Sequence, residues 1–362
     1  MLYRYKIISI AVQYYRLVNK LTIENFLIQS ENHLITDVRS PSEYAHGHIP
    51  GAVNIPLFSD EERKRVGTIY KNMSREKAML EGLNYFGKNM QQIIADLTEL
   101  TTGKNLYAYC WRGGMRSGVV SWMLDLFGYK VCTLNNGYKS FRNYVLNSYS
   151  VPKSFLVVGG KTGSAKTKVL QVLKRAGQQT LDLEAMANHK GSAFGDLGEP
   201  ASPTQEQFEN QLCFQLQKLN PLKPIWIEDE SQRIGFINIP NPLWTQMRNA
   251  DVIYLDVPFE ERLKNIVEVY GQFDVQLLKA STIRIQKKLG GLNTKSVLQF
   301  FEEGKLENAF FVLLSYYDKM YDKATSQRDP GKVFRIFSKS TNAAENADLI
   351  LNYMKLKFLH QI

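Results

Sequence analysis

Cysteine and histidine are scarce in this chain. Its 362 residues hold only Cys110, Cys132 and Cys213, widely spaced and odd in number, which excludes a disulfide framework. Five scattered histidines exclude a zinc-binding pattern, so no dedicated metal site is read from the sequence. Long apolar runs are missing too. The run Ile7 to Val12, preceded by Arg4 and Lys6, is interrupted by Gln13, Tyr14, Tyr15 and Arg16 before it takes signal-peptide form. These absences lead us to expect a soluble protein of a reducing cytosol, with no membrane partner. The marks of disorder are also lacking, since 44% hydrophobic and 22% charged residues is an ordinary globular balance.

What the chain does have is positive charge. A formal net charge of +10 points to a polyanionic partner, either nucleic acid or an acidic membrane face, with a merely basic soluble enzyme as the plain alternative. The length suffices for two domains of ordinary size.

One stretch carries the clearest chemistry: Tyr107-Ala108-Tyr109-Cys110-Trp111-Arg112-Gly113-Gly114-Met115-Arg116-Ser117-Gly118. An apolar run ends in a cysteine, then come two arginines and two glycines, and a helix is expected over Val119 to Phe127. Glycines let successive amides turn toward one spot above a helix N-terminus, where a thiolate is favoured. Arg112 and Arg116 add positive charge, so Cys110 is a candidate nucleophile or anion cradle rather than an inert buried thiol.

Upstream, a short helix is expected from Leu21 and a strand over His33 to Val38. The strand runs into Asp37-Val38-Arg39-Ser40-Pro41-Ser42-Glu43-Tyr44 and then Gly47-His48-Ile49-Pro50-Gly51-Ala52-Val53-Asn54-Ile55-Pro56, with a second short strand at Val53 to Ile55. Between Leu57 and Leu100 lies a longer helical insertion carrying Glu61, Glu62, Arg63, Lys64, Arg65, Lys71, Arg75 and Lys77. Two readings of it stand: a solvated face, or an RNA contact.

After a polar link over Tyr149 to Lys153, the strand Phe155 to Val158 opens a second α/β unit. It leads into Gly160-Lys161-Thr162-Gly163-Ser164-Ala165-Lys166-Thr167, which has P-loop spacing, and then a helix over Val169 to Ala176. Gly160, Gly163, Ser164 and Ala165 would offer amides to a phosphate or diphosphate, Lys166 a charge, and Thr167 a hydroxyl that can ligate Mg²⁺. Ala165 stands where the pattern asks for glycine, and a positive φ there would strain it. The apolar Ile225-Trp226-Ile227 precedes Glu228-Asp229-Glu230, so Glu228 and Asp229 are candidates for orienting a metal or water. A further strand, Val252 to Val257, is followed by a charged helix, Glu260 to Val267. Past Gly271 the chain reads as helical, with Phe310 to Tyr317 as core. Arg284, Lys287 and Lys288 fall on one expected helical face as a candidate phosphate-contacting patch, with a solvated face as the alternative.

Three motifs in order, at Asp37 to Pro56, at Cys110 to Ser117 and at Asn136-Gly137-Tyr138-Lys139-Ser140-Phe141-Arg142, resemble a rhodanese domain over residues 20–147. The resemblance implies a parallel sheet with helices on both faces, a cysteine that carries sulfur as a persulfide at Cys110, and a structural role for Asp37 and Arg39. The Cys110 loop is further similar to that of tRNA 2-selenouridine synthases. So are Asp182-Leu183-Glu184, Ala187 to Gly195, Glu228-Asp229-Glu230-Ser231 with Arg233-Ile234-Gly235, and Arg284 to Gly291. The fold class implied is α/β. A rhodanese-like parallel-sheet domain (20–147) would precede a P-loop NTPase-like α/β domain (153–270) and a helical C-terminal region packed on it (271–362).

The activity implied is conversion of wobble 2-thiouridine in tRNA to 2-selenouridine with selenophosphate, through an S-geranyl intermediate made from geranyl diphosphate. Partners would be tRNA and these small molecules, with no tightly bound cofactor and with Mg²⁺ as a candidate. Two other classes remain open. One is a rhodanese-type sulfurtransferase coupled to an ATP-binding kinase-like domain; the other is a non-catalytic RNA-binding protein that kept the folds.

Overall fold

The computed structural model describes residues 19–359, so the apolar run at 7–12 and its basic flank lie outside the described residues. The chain divides into two compact units, Met1–Ser148 and Tyr149–Ile362.

The described part of the first unit runs β1 (Asn19–Leu21), α1 (Ile23–Gln29), β2 (Leu34–Asp37), α2 (Pro41–His46), β3 (Val53–Asn54), α3 (Asp60–Asn72), α4 (Arg75–Leu100), β4 (Asn105–Tyr109), α5 (Met115–Leu126), β5 (Lys130–Leu134) and α6 (Gly137–Ser148). Its five strands pair in the order β1-β5-β4-β2-β3, all parallel. Four of the five residues of β4 are buried, the continuous apolar pattern of a central parallel strand covered on both faces. Helix starts follow local chemistry. Ser40 and Glu43 form a capping box with Pro41 in the first turn of α2, and Ser59 and Glu62 do the same for α3. The insertion expected between Leu57 and Leu100 is the α3–α4 hairpin, whose inner face joins Phe86, Ile93 and Leu97 to the sheet core. The short strand β1 beside β5 goes beyond the sequence expectation.

The second unit runs β6 (Phe155–Gly159), α7 (Lys166–Arg175), β7 (Gln179–Leu181), α8 (Leu183–Ala187), α9 (Gln205–Gln217), β8 (Ile225–Glu228), β9 (Arg233–Ile234), β10 (Ile237–Asn238), α10 (Asn241–Asn249), β11 (Asp251–Asp256), α11 (Phe259–Tyr270), α12 (Val275–Arg284), α13 (Gln286–Leu289), α14 (Gly291–Glu302), α15 (Leu306–Ser326), β12 (Val333–Phe337) and α16 (Ala343–Leu359). A second all-parallel sheet has the order β12-β11-β6-β8-β7, with β9 and β10 as a separate antiparallel pair. The C-terminal region is helical except for β12, which returns to the sheet and pairs with β11 from Val333 opposite Val252 to Phe337 opposite Asp256. One core lies between the sheet and α7 and α16, around Leu170, Trp226, Ile253 and Ile350. A separate helical core gathers Leu263, Tyr270, Phe301, Phe310, Leu313 and Leu314, although Phe311 is more than half exposed.

In both sheets the strand order reverses at the central strand: β5 and β2 flank β4, and β8 and β11 flank β6, with β7 beyond β8 and β12 beyond β11. A parallel α/β sheet opens its binding crevice beyond the carboxyl end of such a strand. Cys110 follows β4 and the glycine loop follows β6.

Candidate functional site

Cys110 is 3% exposed and sits in a loop closed against the start of α6. The Tyr138 N–H donates to Cys110 O at 2.8 Å, and the Lys139 N–H to Trp111 O at 3.0 Å. Gly113 and Gly137 both have positive φ and touch: a Cβ on Gly113 would lie 2.5 Å from Leu134 O, and one on Gly137 would collide with Cys110 O. These contacts explain why the Cys110 and Asn136-Gly137 motifs occur together. Ser117 Oγ lies 3.3 Å from the sulfur. Burial pushes the thiol pKa up, but the Ser117 hydroxyl and amide, the Arg116 charge and the Gly114 amide outweigh it, and the net shift is downward.

The two arginines differ in what they do. Arg116 contributes to the shift while ion-paired to Glu43 at 2.6 Å. Arg112 is exposed, with no ion pair among the described residues, and of the two arginines it is Arg116 whose charge is a main cause of the thiol's lowering. Asp37 and Arg39 are buried together. The Arg39 guanidinium donates to both Asp37 oxygens and to Gly47 O, and lies 3.8 Å from the Tyr138 ring centroid.

In the second unit Gly160 and Gly163 have positive φ, and a Cβ on Gly163 would lie 2.8 Å from Arg262 O. Ser164 is buried with its hydroxyl donating to Lys161 O at 2.8 Å, so it braces the loop. Ala165 does adopt the left-handed conformation, φ 58° and ψ 31°, at the N-cap of α7. Lys166 is 8% exposed, and its Nζ donates to Gly160 O at 3.0 Å across the loop. Burial opposes its charge, but Tyr321, Glu228, Glu230 and Glu184 raise its pKa overall.

Thr167 Oγ1 lies 3.1 Å from Glu184 Oε2 and 3.2 Å from Glu228 Oε2. Glu184, Glu228 and Glu230 place one oxygen each within 4.8 Å of the others. Burial, with Asp182 nearby, pushes Glu184 up to about 7; burial and the Glu184 charge push Glu228 up to about 8, and burial with Glu184 and Glu228 pushes Glu230 well above the carboxylate range. Glu228 Oε1 is buried with no hydrogen-bond partner. An orphaned carboxylate oxygen among hard oxygen donors beside a phosphate loop fits a divalent cation such as Mg²⁺.

Asp229, the second acidic candidate, is corrected. Its carboxylate accepts from Arg328 Nη2 at 2.5 Å, and Arg248 is 3.6 Å away. Glu184 and Glu230 take its place beside Glu228. Glu230 lies past the end of β8, where a turn that joins its N–H to Glu228 O at 2.9 Å, not strand alternation, brings it beside Glu228. The Arg284, Lys287 and Lys288 face is also corrected. Arg284 ends α12, Lys287 and Lys288 lie in the separate α13, and Arg284 grips Asp196 with two bonds of 2.6 and 2.8 Å. Lys287 and Lys288 are exposed, with no ion pair among the described residues.

The glycine loop, the three glutamates and α15 line a cavity of about 750 Å³. Ile266, Val269, Tyr270, Tyr317 and Met320 form an apolar, aromatic wall of it.

A cysteine loop at the end of a central parallel strand, followed by a second α/β unit with a phosphate loop, defines a rhodanese-type domain joined to a P-loop domain. Comparison with known proteins agrees. Residues 24–144 match the rhodanese-like domain, and residues 153–348 match the tRNA 2-selenouridine synthase AAA domain. The tRNA 2-selenouridine synthase of Bdellovibrio bacteriovorus is 33% identical over 353 residues, covering 84% of this chain and 92% of that protein. Those of Nitrosomonas europaea (36% identical, 65% of this chain, 63% of that one) and Shewanella denitrificans (32%, 83% and 90%) are similar as well. The chain belongs to the tRNA 2-selenouridine synthase family. Among the described residues no helix is long and apolar enough to cross a membrane.

Proposed function

We propose that this protein replaces the sulfur of wobble 2-thiouridine in tRNA with selenium from selenophosphate, by way of an S-geranyl intermediate formed from geranyl diphosphate. The observation that carries this reading is the cavity itself, which is lined both by Lys166 and the phosphate loop and by apolar and aromatic side chains. A diphosphate bearing a hydrocarbon tail needs both.

In the first step the thiocarbonyl sulfur attacks C1 of the geranyl group, the C–O bond breaks and diphosphate leaves. Lys166 and the amides of Gly163 to Thr167 stabilise the negative charge that develops on the leaving group. Thr167, Glu184, Glu228 and Glu230 are the residues that would hold Mg²⁺, which supplies further charge neutralisation when bound. In the second step the selenium of selenophosphate attacks C2 of the base, the geranyl thiolate leaves and takes up a proton, and water cleaves the P–Se bond to release phosphate. Cys110 and Arg116 serve that step, the loop amides receiving the selenophosphate anion.

Mass spectrometry of a 2-thiouridine tRNA incubated with the protein, geranyl diphosphate and selenophosphate tests the proposal. The expected products are S-geranyl-2-thiouridine without selenophosphate and 2-selenouridine with it. Rapid ATP hydrolysis without tRNA, and no geranyl adduct, would favour a sulfurtransferase coupled to a kinase-like domain instead.

A further inference from the structure

Glu43 is shared by two arginines from different elements. Arg116, on the first turn after the Cys110 loop, grips it in a two-pronged pair, Nη1 to Oε2 at 2.6 Å and Nη2 to Oε1 at 3.2 Å. The same Oε2 accepts from the Ser40 N–H at 3.1 Å, which caps α2. Arg63, reaching in from α3 of the inserted hairpin, has its Nε 3.6 Å from Oε2. That Nε is buried and has no hydrogen-bond partner. The carboxylate therefore has one arginine fully engaged and a second one waiting just outside hydrogen-bond range.

We propose that Glu43 is a positioning residue that sets how strongly the Cys110 loop attracts anions, by holding the Arg116 charge in a pair from which an arriving anion can draw it, while Arg63 closes on the carboxylate left behind. The chemistry follows from the geometry. A guanidinium bound to a carboxylate attracts a second anion weakly, and breaking a half-buried pair is costly when it leaves one charge uncompensated. The unpartnered Arg63 Nε removes that cost, because the move from 3.6 Å to contact gives both Glu43 and Arg63 a partner. The hairpin carrying Arg63 thereby acquires a role in the first unit that neither a solvated face nor an RNA contact describes.

The inference rests on the reading of Cys110 as the reactive residue. Its test compares two alkylating reagents on the full chain, anionic iodoacetate and neutral iodoacetamide. Rates are followed at the Cys110 peptide by mass spectrometry, so that Cys132 and Cys213 do not interfere. Glu43→Gln keeps the shape and the cap of α2 but leaves Arg116 uncompensated. The iodoacetate-to-iodoacetamide rate ratio should rise about three- to tenfold, as expected for one freed charge at partial burial. Arg63→Gln should lower the ratio by about twofold, because opening the Arg116 pair then strands Glu43. Glu43→Gln combined with Arg116→Gln should lose the gain. An unchanged ratio in Glu43→Gln, or a gain that survives removal of Arg116, overturns the inference while leaving the Cys110 reading intact. A parent protein whose Cys110 resists both reagents overturns both.

Discussion

Ala165 holds a left-handed backbone, φ 58°, at the position before the lysine where the P-loop pattern asks for its second glycine. An L-residue with a Cβ pays roughly 1–2 kcal/mol in that conformation. The surroundings hold it there: Ser164 is tied to Lys161 O, and the Val169 N–H donates to Ala165 O at 3.0 Å. Ala165→Gly should therefore stabilise the protein by about 0.5–1 kcal/mol, the relief of strain outweighing the greater freedom glycine brings to the unfolded chain. Urea unfolding measures it, and a loss of stability would mean that the alanine methyl group contributes packing worth more than the strain. The strain was foreseeable from the sequence because the loop spacing alone assigns the conformation. The hydroxyl partner of Cys110, Ser117, was less so: it sits in the same motif, but only the turn into α5 brings its Oγ to 3.3 Å from the sulfur.

The end of β8 shows how an element decides which residues act. Glu228 and Glu230 face Thr167 and Glu184, while Asp229 turns to Arg328 and Arg248. Two buried carboxylates and a half-buried one, all with raised pKa values, make stability depend on pH in a definite direction. The folded protein keeps protons that the unfolded chain, with ordinary values near 4.5, has already released. Stability is then fully present below about 4.5 and falls as pH rises through about 7 to about 8. Chelator-treated protein should show a melting temperature that declines between these limits, and excess Mg²⁺ should restore it at the alkaline end by binding the folded state. A melting temperature indifferent to Mg²⁺ at alkaline pH would remove the cation from this site. The strands and the phosphate loop were legible because apolar runs punctuated by glycine leave few alternatives. Strand β12 was not, since its partner β11 lies far back along the chain and long helices intervene. The break in the basic face was hidden for the same reason: helical spacing put Arg284 with Lys287 and Lys288, but α12 stops at Arg284, and Arg284 pairs with Asp196, 88 residues away.

At the scale of the whole molecule, a net charge of +10 has to be reconciled with two chemistries in two units. Affinity for tRNA should fall steeply with salt, since each neutralised phosphate releases counterion. If Lys287 and Lys288 each meet a phosphate, Lys287→Gln with Lys288→Gln should flatten the slope of log affinity against log salt by about 2. Arg284→Gln should leave that slope unchanged, because its charge is already paired. Equal effects from all three positions would restore the single patch that the sequence suggested. The division of labour gives the sharpest expectation. Lys166 lies in the unit with the cavity and Cys110 in the other, so each can be removed while the other's loop stands. Lys166→Ala should stop geranylation of 2-thiouridine, and selenation with it, because in the proposed route the second step consumes the product of the first. Cys110→Ser should geranylate and stall there, a neutral hydroxyl being a poor replacement for a thiolate. Pre-geranylated tRNA should then restore part of the selenation by Lys166→Ala and none by Cys110→Ser. Rescue is expected to be partial, because selenophosphate is itself an anion and the Lys166 loop is a second place where it can bind. Normal geranylation by Lys166→Ala, read by mass spectrometry of the digested tRNA, would show that the diphosphate does not use this loop.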